Sequence, residues 1–148
     1  PVRNIQIVQN KDYVVILSEY FSLVRIIRLN NKFSPEVGRR WMGDSIGYYE
    51  GNSLIVHTRH FREEQSIAPL RSSSSFEVKE VYTRENENEI LFQYTISDPQ
   101  IYTDQWVVEI PIQRMRNGLK LYEYACHEGN YSLPFMLRAA RMEEAGIL

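Results

Sequence analysis

The stretch Tyr122-Glu123-Tyr124-Ala125-Cys126-His127-Glu128-Gly129-Asn130-Tyr131 gathers the densest set of side chains able to move protons. His127 titrates near neutral pH and can act as general acid or base. Glu123 and Glu128 could orient its imidazole or transfer protons themselves. The competing reading is a polar corner before a helix, in which Asn130 and Ser132 cap the helix and His127 is solvated. Further charges interrupt apolar stripes at period two. Glu19 follows Tyr13, Val15 and Leu17, and Arg25 sits among Leu23, Ile27 and Leu29. Thr58 and His60 follow Leu54 and Val56, Glu80 lies among Phe76, Val78 and Tyr82, and Glu123 among Leu119, Leu121 and Ala125. A charge inside an apolar stripe is unfavourable unless paired. Glu19 and Arg25 could face each other across a hairpin, either inside a site or as a surface pair. The expectation is that Glu19, Arg25, Glu123 and His127 converge on one pocket, with Arg25 stabilising an oxyanion or binding a carboxylate.

Aromatic residues supply candidate walls for that pocket. Trp41, Tyr49, His60, Trp106, Tyr124, Asn130 and Tyr131 are the candidate ligand contacts, offering apolar surface with polar handles. Other chemistries are weaker. His57 and His60 are three apart on an expected strand and point to opposite faces, so no metal site is assigned. Cys126 and His127 are adjacent and point apart, and Cys126 reads as a buried small hydrophobe. Ser72 to Ser75 lack a nucleophile elbow. Gly38, Gly43, Gly47 and Gly51 are irregularly spaced and make no phosphate loop. No cofactor is expected.

Several of these motifs together resemble a family of uncharacterised bacterial proteins, often exported. The matching residues are Trp41-Met42-Gly43-Asp44-Ser45-Ile46-Gly47, Glu50-Gly51-Asn52-Ser53-Leu54-Ile55-Val56 with Thr58, Thr95-Ile96-Ser97-Asp98-Pro99 with Tyr102 and Trp106, and Glu123 to Tyr131. Glu19 and Arg25 also fit the pattern. His57 stands where relatives often have Asp, and Tyr48-Tyr49 where they often have a basic or polar residue with Trp. The resemblance implies a periplasmic or secreted location, while a lone cysteine fits the cytosol as well as an exported protein; the resemblance also supports the place of the site. It implies no reaction.

Period two dominates the elements that must position these groups. Strands are expected at Asn4 to Val8, Val14 to Tyr20, Leu23 to Leu29, Ser45 to Glu50, Asn52 to Phe61, Phe76 to Arg84, Glu89 to Ser97, Gln105 to Gln113 and Leu119 to Cys126. Turn residues such as Glu50-Gly51-Asn52 and Arg116-Asn117-Gly118 separate them. Leu133, Met136, Leu137 and Ala140 fall on one helical face, and Gly146 ends that helix. The fold class expected is mainly β: an antiparallel up-and-down, lipocalin-like barrel or a sandwich, with one C-terminal helix over a barrel end or against the wall.

The chain of 148 residues suits one domain, read as a single β-barrel domain over 1–148. Its 17 basic and 19 acidic residues give a net charge of −2, so no nucleic acid is expected as a partner. No apolar run approaches the length of a membrane span. The start at Pro1-Val2-Arg3 suggests a longer protein or a removed segment. The functional expectation is a small apolar or aromatic molecule bound in a barrel pocket, acted on by cofactor-free acid/base chemistry as an isomerase, cyclase or lyase would. The alternatives are a non-catalytic carrier and a protein-interaction module. No oligomeric state is assigned.

Overall fold

The computed structural model describes residues 4–33, 38–65 and 72–147. From Asn30 to Pro35 a turn is expected and from Glu63 to Ser75 a polar loop; residues 34 and 35 of the first and 66–71 of the second lie outside the described residues. Among the described residues eight strands form one sheet in sequence order: β1 (Ile5–Gln9), β2 (Tyr13–Ser18), β3 (Val24–Leu29), β4 (Asp44–Glu50), β5 (Ser53–Arg59), β6 (Glu77–Arg84), β7 (Glu89–Ser97) and β8 (Trp106–Gln113). One helix follows, α1 (Ser132–Glu144). The mainly-β class with a single C-terminal helix is borne out, and the sheet curls into a half-barrel.

Register carries one face across the sheet. Ile7 pairs with Ile16, Val14 with Ile27, and Ile27 with Ser45. Leu54 pairs with Tyr82, Tyr82 with Phe92, and Phe92 with Ile110. Paired residues share a side. The buried cluster Val14, Ile16, Ile27, Leu29, Leu54, Val56, Tyr82 and Phe92 therefore lies on the concave face. Close approach fixes Gly47 there: a Cβ would lie 2.9 Å from the Ile55 carbonyl oxygen and 3.0 Å from Ile27 Cγ2.

All neighbouring strands are antiparallel except β3 and β4, which run parallel through Ile27–Ser45, Arg28–Ile46 and Leu29–Gly47. An unbroken series of hairpins is thus corrected at this point. Residues 30–43 return the chain to the other end of the sheet before β4 starts, as a parallel pair requires. The near end of the half-barrel carries the β1–β2, β4–β5 and β6–β7 turns. The far end carries the β2–β3, β5–β6 and β7–β8 connections. With one parallel pair, β1 and β8 both run from the far end to the near end.

Leu119–Cys126 does not form the expected ninth strand. Its chain finds a side-chain partner instead of a ladder: the Tyr122 N–H donates to Glu19 Oε2 at 3.3 Å. Cys126, expected to be buried by its strand neighbours, is exposed for the same reason. Helix α1 starts one residue before its expected position. Ser132 is the first helical residue and Tyr131 holds the N-cap position without a side-chain cap; Asn130 Oδ1, one residue earlier, accepts from the Ser132 N–H at 3.1 Å. Gly146, at φ +66, ends the helix, with Ile147 N–H bonded to the Met142 carbonyl and Gly146 N–H to that of Glu143. Its expected packing over the barrel is absent: no residue of α1 is buried.

Candidate functional site

A polar cluster interrupts the apolar concave face toward the far end. Arg25 from β3 donates through Nη1 to Glu80 Oε1 at 2.7 Å and through Nη2 to Glu80 Oε2. Its Nη2 also reaches Thr58 Oγ1 at 2.7 Å, and its Nε reaches Ser45 Oγ at 3.1 Å. The Ser45 and Thr58 hydroxyls lie 2.9 Å apart, and Tyr82 donates to Glu80 Oε1 at 3.1 Å. The Glu80 side chain is 6% exposed and that of Arg25 16%. Burial alone would lower the Arg25 pKa, but the hydrogen bonds and negative charge of Glu80 raise it above its ordinary value. Burial, reinforced by Glu80, pushes the Tyr82 hydroxyl strongly upward, so it stays protonated and donates. Both Glu80 oxygens are bound to the guanidinium, which suits a fixed structural pair.

Toward the near end the concave face opens into a cavity of about 810 Å3. Ile7, Val14, Leu54, Ile90, Ile110 and Ile112 supply apolar walls, and Tyr82 joins the cavity to the polar cluster. Tyr49 also lines it and donates to Gln9 Oε1 at 2.6 Å. Asn4, Asn52, Arg84 and Glu89 add polar groups. This volume lies within the range of small-molecule sites, about 300–1,000 Å3.

The sequence candidates are dispersed around this site. Arg25 meets Glu80, which is 55 residues away, and not Glu19 across the hairpin. Glu19 accepts from Asn4 Nδ2 at 3.2 Å and from the Tyr122 backbone. Glu123, His127 and Glu128 are exposed in the segment after β8, and none lines the cavity. Tyr124 packs against Tyr20 and Phe21, with ring centroids 5.3 and 4.7 Å away. Asn130 accepts from the Ser132 N–H just before α1, while the ring of the exposed Tyr131 lies 6.2 Å from that of Phe135. Trp41 is exposed beneath the Arg62 guanidinium, 5.2 Å from its ring centre. His60 lies at φ +58 with its ring 5.9 Å from Phe33, and Trp106 packs 5.4 Å from Tyr102. Of the candidate ligand contacts, only Tyr49 lines the cavity.

Glu80, Ser45, Thr58 and Tyr82 are the partners that sequence reasoning did not assemble. Glu80 and Thr58 carried the needed signal, because each interrupts an apolar stripe. Their meeting with Arg25 depends on the curl that brings β3 and β6 together across two intervening strands. Among the described residues no group of three or more His, Cys, Asp or Glu could hold a metal ion, and no helix is long and apolar enough to cross a membrane. Comparison with protein-family models, curated proteins and solved structures finds no match.

Proposed function

We propose that this half-barrel binds a small apolar or aromatic molecule on its concave face and acts as a carrier. The observation that carries this reading is the cavity of about 810 Å3 with isoleucine, valine and leucine walls and tyrosine hydroxyls at hand. Acid/base catalysis would need His127, Glu123 or Glu128 beside the ligand, and these side chains lie elsewhere. The Arg25–Glu80 pair holds the wall that presents Tyr82. The family resemblance adds an exported setting to this proposal.

Fluorescence titration with 1-anilinonaphthalene-8-sulfonate tests the reading. Saturable binding by the folded protein is expected, with near-UV circular dichroism retained. Ile110→Trp fills part of the cavity and should weaken binding at least about tenfold. His127→Ala should leave it unchanged. A dark probe, or an Ile110→Trp variant that binds as wild type does, would overturn the proposal.

A further inference from the structure

We propose that residues 119–125 act as a ninth strand that inserts between β8 and β1 and closes the half-barrel over the cavity. This inference rests on the carrier reading and adds the control of its site. Among the described residues, β1 and β8 each pair with one neighbour, and both edges line the cavity. They run in the same direction, so one strand of opposite direction fits antiparallel to both. The chain leaving β8 supplies that direction. A turn closes at Arg116–Leu119, where the Leu119 N–H donates to the Arg116 carbonyl at 3.1 Å and Gly118 takes φ +88. Beyond it the chain returns to the far end. There the Tyr122 N–H and Asn4 Nδ2 both donate to Glu19 Oε2, which holds the segment beside the start of β1.

The residues of the segment suit the place. Leu119, Leu121, Glu123 and Ala125 alternate with Lys120, Tyr122 and Tyr124. Continuing from Tyr122 beside Asn4, an antiparallel register sets Leu121 opposite Ile5 and Leu119 opposite Ile7. Ile7 lies on the concave face, so both leucines would face the cavity. Leu119 is 57% exposed in the open form and gains an apolar surface on closing. Glu123 then takes the inner face at the far rim. Pro111 lacks one backbone donor on β8 and weakens the ladder there, which favours a strand that can leave.

Two measurements test closure. In the unmodified protein, the amides of Leu119 to Glu123 should exchange at least about tenfold more slowly when 1-anilinonaphthalene-8-sulfonate is bound. In a Cys126→Ser background, Gln6→Cys with Lys120→Cys should oxidise to a disulfide within one chain, because paired strands bring the two Cα atoms into bonding range. Probe binding with unprotected amides and no such disulfide would overturn the closing strand and leave the carrier reading standing. A disulfide only between two chains would also overturn it, giving the seam to a second copy. An intrachain disulfide without probe binding would support the ninth strand while the carrier reading failed.

Discussion

Arg25 shows how a single side chain can organise a sheet. Its guanidinium links β3 to β4, β5 and β6 through Ser45, Thr58 and Glu80. Removing one member of a buried ion pair leaves the other charge uncompensated, so Arg25→Met should lower stability by about 3–5 kcal/mol in urea unfolding. Adding Glu80→Leu should recover most of that loss. A double variant as unstable as the single would show that the charges do not act as a pair. Gly47→Ala meets a backbone oxygen and Ile27, and should cost about 1–3 kcal/mol. His57 makes a prediction of opposite character. Burial, then the positive charges of Lys79 and Arg59, lower its pKa, with Glu77 opposing them. Lys79 is its direct cross-strand neighbour, and the Tyr48 ring stacks on it at 6.4 Å. The folded protein therefore binds fewer protons here than the unfolded chain, and stability falls as pH drops below the ordinary histidine value of about 6.5. His57→Gln should flatten that fall in denaturation midpoints measured from pH 7.5 to 5. An unchanged slope would remove His57 from the account. At this scale the sequence showed which charges lay in apolar stripes. It could not show their partners, because Arg25 and Glu80 meet only through the curvature of the sheet.

Individual elements were more legible than their connections. Alternation located the eight strands, and helical spacing with Gly146 located α1, because both signals reside in neighbouring residues. Period two reads the same in either direction, so nothing local revealed that β3 and β4 are parallel. Leu119–Cys126 also alternates like a strand, yet it pairs with neither edge of the open sheet. Helix α1 offers a direct check on how little packing it contributes. None of its residues is buried, and Phe135 is 63% and Met136 68% exposed. A chain ending at Tyr131 should therefore melt within about 2 °C of the full chain, since a 1 kcal/mol loss would shift the midpoint by several degrees. A larger drop would mean that α1 contributes contacts to the folded state in solution.

At the scale of the whole molecule the two ends of the half-barrel differ. At the far end, Asp98 is 1% exposed and ties two connections together: its Oδ2 accepts from the Ser73 N–H and its Oδ1 from the Ser73 hydroxyl, each at 2.6 Å. Asp98→Ala strands those donors and should cost about 1–3 kcal/mol in urea unfolding. An unchanged midpoint would show the tie to be dispensable. The near end is left to the cavity, which is where the carrier reading places its ligand.

The like-directed joint between β3 and β4 also governs arithmetic around any closed ring. A cylinder whose neighbours all alternate must contain an even number of members. One exception reverses that parity, so a cylinder that keeps this single exception must contain an odd number. Eight members would require a second like-directed joint at the seam, whereas nine require none. Altering the length of the 30–43 connection leaves this count untouched; only reversing every strand from β4 onward would change it.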